Sequence, residues 1–170
     1  NGLVSLFAQH FTDRQSRKGN SWQLLEDVGH TGNSLRSVVS TSLDTTRLSA
    51  EAAYVEYAFQ SFTVAAPLIT VFTLPTHPLN AKTRMRYAVR LDEGPVQIVD
   101  FTTFGRSPEW KQNVLSNQAV RSLRFPVLSP GKHRLRIYAV DPEVILDRIQ
   151  IQFTEIPKAY GVIPETRSSR

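Results

Sequence analysis

Short runs with an apolar residue at every second position, each bounded by turn chemistry, recur along this chain and point to an all-β fold. The clearest is Met85–Asp92, where Met85, Tyr87, Val89 and Leu91 alternate with Arg84, Arg86, Ala88 and Arg90. Tyr54–Phe62 sets Tyr54, Glu56 and Ala58 against Val55, Tyr57 and Phe59. His133–Val140 places Leu135 and Ile137 inward, with Arg134 and Arg136 outward. Val4–Phe11, Trp22–Glu26, Ser34–Ser40, Val96–Phe101, Val120–Val127 and Val144–Phe153 read as further strands. Val64–Leu74 is apolar and rich in β-branched residues, as a central strand is, and Pro67 marks a bulge or an edge.

The connections carry the expected turn residues. Glu93-Gly94 closes a hairpin, and the glycines of Asp27–Asn33 serve a tight reversal. Pro130-Gly131 and Asp141-Pro142 are also turns, and Thr41–Ala53 reads as a long surface loop. One short helix is expected after Ser107, an N-cap serine followed by Pro108, Glu109 and the packing pair Trp110 and Val114. Such a list of strands with one helix implies a single β-sandwich or jelly roll over residues 1–157, with a polar tail over 158–170. That tail is frayed, a linker or a docking segment, and its Tyr160 is suited to covering a partner surface.

Composition narrows the function by exclusion. The chain has 170 residues, a formal net charge of +5 and no cysteine, so disulfides and Cys-based zinc sites are ruled out. Its basic residues are scattered without interleaved aromatics, which argues against nucleic acid as a partner. The longest apolar run, Phe62–Leu74, is broken by Thr63, Pro67 and Thr70 and is too short for a membrane helix. No signal peptide opens the sequence, and its start at Asn1 rather than Met suggests a fragment or a processed product.

No nucleophile elbow, phosphate loop or zinc motif is present, and no catalytic residue, metal ligand or cofactor is assigned. Glu26/Asp27 and Asp92/Glu93 are adjacent acids in turns, where solvated carboxylates collect. His10 and His133 fall on strands and read as packing or satisfied polar residues. His30 and His77 fall in turns and are the better candidates for contact with a ligand, with Asn33, Asn80 and Trp110 beside them in sequence or in loops. Trp22 opens a strand and is expected in the core. The outward arginines Arg84, Arg86, Arg90, Arg134 and Arg136 suit either a solvated sheet face or bidentate recognition of a carboxylate.

The order of several short motifs is more specific than any one of them. Val4–Phe11, Ser21-Trp22-Gln23, Gly29–Ser34, Arg86–Asp92, Glu109-Trp110, Pro130–Leu135 and Val140–Leu146 follow one another in a succession that resembles the C-terminal domain of glycoside hydrolase family 115. The resemblance covers about residues 3–163. It implies a galactose-binding-like β-sandwich at the end of a secreted or periplasmic xylan α-1,2-glucuronidase-like enzyme. The family's catalytic residues lie in a separate barrel, so none transfers to this chain. Where the family's first strand commonly carries an acidic pair, this chain has Phe7 and Gln9, which removes the hard anionic ligands calcium prefers. The Pro75–Asn80 turn keeps the family's proline–leucine–asparagine character.

The expected role is therefore a non-catalytic accessory domain whose partners are the catalytic domains of the parent hydrolase, with a homodimer formed through that parent. Two alternatives stand beside it. One is an autonomous carbohydrate-binding module for acidic hemicellulose such as glucuronoxylan, using His30, Asn33, His77, Asn80 and Trp110. The other is a protein–protein interaction domain of an unrelated multidomain protein.

Overall fold

The computed structural model describes residues 2–40, 43–157 and 161–167. Eleven strands run in order: β1 (Leu3–Phe7), β2 (Asp13–Gln15), β3 (Ser21–Glu26), β4 (Asn33–Val38), β5 (Tyr54–Ser61), β6 (Leu68–Thr73), β7 (Arg86–Leu91), β8 (Gln97–Asp100), β9 (Ala119–Arg124), β10 (Gly131–Ala139) and β11 (Ile145–Gln152). One sheet has the order β3-β4-β11-β6-β9, with β1 also paired to β11, and the other has the order β2-β5-β10-β7-β8. Every pairing is antiparallel.

The core lies between the sheets, and alternation decides what enters it. Leu135 and Ile137 of β10 and Leu146, Ile149 and Ile151 of β11 are fully buried. Trp22, Tyr57, Tyr87 and Phe101 fill the same layer, so Trp22 is core, as expected. Tyr57 Oη donates to the Ala8 carbonyl at 2.7 Å. Burial pushes the Tyr57 and Tyr87 hydroxyls well above the ordinary tyrosine range.

Three segments differ from the sequence reading. The first strand stops at Phe7, where the His10 N–H bonds the Phe7 carbonyl in a turn, so His10 is exposed rather than a strand residue. The strand β2 was not expected, because all its residues are exposed and no apolar alternation announces it. The supposed loop 41–53 contains a 3-10 turn at Thr45–Arg47 and helix α1 (Leu48–Glu51), with Leu48 and Ala52 buried beneath Tyr54 and Tyr138. The Asp44 side chain accepts from Thr46 N and caps that turn. The nine-residue helix α2 (Pro108–Ser116) forms where expected, with Ser107 Oγ accepting from Trp110 N and Asn117 closing it in a left-handed conformation. It buries none of its residues.

Residues 161–167 lie along the free edge of β1. Thr166 N donates to the Ser5 carbonyl, Ser5 N to Thr166 Oγ1, and Phe7 N to Glu165 Oε1. Tyr160 lies outside the described residues. No helix among the described residues is long and apolar enough to cross a membrane.

Candidate functional site

The loop between β3 and β4 is built on a buried carboxylate. Gly29 and Gly32 take positive φ there, at 95° and 93°, and Asp27 joins them at 55°. The loop closes through Asn33 Oδ1, which accepts from Asp27 N at 3.1 Å, and Ser34 Oγ, which donates to the Val28 carbonyl at 2.8 Å. Beneath it sits Asp147, 1% exposed. Its Oδ1 accepts from His30 N at 3.0 Å and Thr31 Oγ1 at 3.1 Å, and its Oδ2 faces His30 Nδ1 at 3.4 Å. A Cβ on Gly29 would collide with Asp147 Oδ1 and Ser34 Oγ. That glycine is therefore required by both close approach and conformation.

Asp147 holds Arg148 as well. Arg148 Nη1 donates to Asp147 Oδ2 at 2.7 Å, and Nη2 donates to Gln118 Oε1 at 2.9 Å. Its guanidinium lies 3.9 Å from the centre of the Phe72 ring. The pairing of β11 with β6 shifts register between Leu146 and Arg148, which puts both ionised side chains in the sheet without breaking it.

At the opposite end, Trp110 Nε1 on α2 donates to His77 Nε2, joining the helix to the β6–β7 connection. Asn80 Oδ1 accepts from Lys82 N at 2.8 Å, a turn within that connection. Arg121 Nη2 of β9 pairs with Glu109 on the helix.

A cleft of about 460 Å³ opens on the outer face of the first sheet. Phe72, Gln118, Arg148, Gln150 and Gln152 line it, with His30 at its side and Ile163 of the tail contributing a wall. Of the sequence candidates only His30 lines this cleft; Asn33 and Asn80 close turns, and His77 and Trp110 bond each other. The amides of Gln118, Gln150 and Gln152 were not anticipated. For Gln150 and Gln152 the signal available was their neutral, outward parity on a strand whose inward positions are aliphatic, whereas Gln118 lies in the short connection between α2 and β9 and has no such parity.

The outward arginines are paired. Arg86 bonds Asp141 at 2.7 Å, Arg136 bonds Glu56 at 2.6 Å, Arg84 bonds Asp100 at 2.6 Å, and Arg90 and Arg134 both meet Glu93. The Asp141 bond raises the Arg86 pKa further. Burial works to raise the Asp100 pKa, but hydrogen bonds from Thr102 and Arg84 outweigh it and hold the carboxyl below its usual range. His133, buried on β10, is satisfied by Asp92 Oδ2 at 2.8 Å, by Ser61 Oγ and by the Ser129 carbonyl, as expected of a packed polar residue. His10 instead pairs with Glu165 at 2.8 Å on the surface. Among the described residues no three potential ligands come together to hold a metal ion. Neutral amides around a cleft can take sugar hydroxyls, whereas paired arginines are poorly placed to exchange protons or capture a carboxylate.

Comparison with known proteins bears on the fold. The chain superposes on BtGH115A, a family GH115 4-O-methyl-α-glucuronidase with specificity for decorated arabinogalactans, with a TM-score of 0.73 and 24% identity. The match covers 91% of this chain and 18% of that one, so the chain spans under a fifth of that relative's length. The Podospora anserina GH26-CBM35 β-(1,4)-mannanase gives a TM-score of 0.58 at 15% identity, over 94% of this chain and 29% of that one. The carbohydrate-binding module CBM6cm-2 of Cellvibrio mixtus lichenase 5A, solved with cellotriose, gives 0.54 at 13% identity, over 91% and 100%. These likenesses show the jelly-roll sandwich. No curated protein matches. Residues 1–165 match the glycosyl hydrolase family 115 C-terminal domain, and the chain belongs to that family.

Proposed function

We propose that this chain is the non-catalytic C-terminal accessory domain of an α-glucuronidase-like polysaccharide hydrolase acting on xylan or a similar glycan outside the cytoplasm. Its role is architectural: it packs on the catalytic domains of the parent and supports that enzyme's dimer. The observation that carries this reading is the internal use of the loop side chains. His77 and Trp110 bond each other, His30 is tied to Asp147, and Asn33 and Asn80 close turns, so their polar groups serve the scaffold.

A second reading rests on the cleft. Its amide floor fits hydroxyl groups of a glycan chain, and carbohydrate-binding modules share the fold. Because Arg148 is neutralised by Asp147, the cleft favours neutral sugar units over free uronates. One experiment addresses both readings. The purified chain is incubated with glucuronoxylan and titrated calorimetrically with its oligosaccharides. The architectural reading expects no release of glucuronic acid and no saturable heat below the millimolar range. Released glucuronic acid sinks the accessory assignment. Saturable heat that Gln150→Ala abolishes establishes the cleft as a sugar site.

A further inference from the structure

We propose that the end of the sandwich where β1 begins is the face that docks on the preceding part of the parent hydrolase, through Phe62, Val64 and Val127. The proposal rests on the accessory reading above and names the surface that reading requires.

Phe62, Val64 and Val127 are 74%, 69% and 63% exposed. Single exposed apolar residues are ordinary. These three sit on two segments joined to each other. Ala65 and Leu128 form an isolated antiparallel bridge, with Ala65 N donating to the Leu128 carbonyl at 3.3 Å and Leu128 N returning to Ala65 at 2.9 Å. Phe125 N bonds the Pro67 carbonyl at 3.1 Å, and Ser61 Oγ bonds the Ser129 carbonyl at 2.9 Å. The patch is therefore held in place before any partner arrives, so burying it costs little ordering entropy.

The patch also lies where the rest of the enzyme reaches the domain. Leu3 pairs with Gln152, Gln152 with Leu68, and Leu68 with Arg124, a single row across the sheet. Val64 shortly precedes Leu68, and Val127 shortly follows Arg124. The row spans roughly 14 Å at the usual interstrand spacing. Gly2 is fixed there because its carbonyl accepts from Phe153 N at 2.8 Å. The α2 end is a strand length away, on the order of 20 Å. A domain that is C-terminal by family and that covers 18% of a relative's chain receives the remainder through the residues before β1.

Area separates this occupant from a second copy. One Phe and two Val offer on the order of 300 Å² of apolar surface, well under the roughly 800 Å² per partner of a stable free interface. A tethered neighbour needs less, because the linker holds it at an effective concentration on the order of millimolar.

The test uses the full-length hydrolase carrying Phe62→Asp, Val64→Asp and Val127→Asp, with Leu115→Asp on α2 as the control. Limited proteolysis at the junction before β1 is the readout, and thermal unfolding of the 170-residue chain with the same changes checks the fold. The milder pair Val64→Thr and Val127→Thr replaces the triple variant if it fails to fold. The patch variant is expected to be cut at the junction about tenfold faster or more, with the control unchanged. Equal cleavage rates overturn the proposal. So does acceleration by Leu115→Asp alone, or a change in subunit number at unchanged cleavage, which assigns the face to a second copy. Glucuronic acid release by the parent is measured in parallel: its absence removes the enzyme reading, while cleavage still scores the face.

Discussion

The two turns that carry His30 and His77 are held in different ways. The β3–β4 loop rests on Asp147, a buried carboxylate whose oxygens take His30 N, Thr31 Oγ1 and Arg148 Nη1. The β6–β7 connection and α2 are joined by exposed contacts, the Trp110–His77 bond and the Arg121–Glu109 pair. A histidine in a turn thus says little about its role; what matters is whether the group beneath it is desolvated. Buried charge makes the first loop part of the core's energetics, while the second end is a surface assembly in which each contact contributes little.

That contrast can be broken at its strongest point. Asp147→Ala leaves the guanidinium of Arg148, 5% exposed, without its counter-ion, and should destabilise the chain by about 3–5 kcal/mol in urea unfolding. A loss below about 1 kcal/mol would show that water or Gln118 replaces the carboxylate and that the two ends are alike. Gly29→Ala is the next largest. It forces a side chain into positive φ and against Asp147, and about 2–3 kcal/mol should be lost in the same measurement. At the helical end Ser107→Ala should cost only about 1 kcal/mol, the usual worth of an N-cap. If that substitution matched Asp147→Ala, the helix would be integral to the fold and the contrast would fail.

Much of the sandwich was legible because alternation and burial share a cause. In β7, β10 and β11 the inward positions are mostly apolar, with His133 satisfied by hydrogen bonds as an exception, and turn residues such as Glu93-Gly94 mark where the chain reverses. β2 was illegible because an exposed edge strand has no face to bury. The turn at 45–51 was hidden because one buried leucine, Leu48, sets no periodicity. The site was harder still. Asp147 interrupts an apolar strand, and Leu146 and Ile149, both buried, are three residues apart, a slip of phase that signals the bulge. Sequence distance hid its partner loop, since Asp147 and His30 are 117 positions apart. The cleft amides were easy to pass over for a related reason: glutamine on an outer face looks like solvated surface until a tail and a helix end wall it in.

The strip formed by residues 161–167 bears on where this polypeptide can be shortened. With it in place, Ser5 N and Phe7 N of β1 are occupied by Thr166 and Glu165. A version ending at Pro157 would keep both sheets and most of the core, yet it would leave those backbone donors open along an edge strand. Open donors of that kind recruit any extended segment nearby, beginning with another molecule of the same polypeptide. Residues 161–167 therefore act as a built-in sealant, and their removal would leave a particle prone to stacking edge to edge.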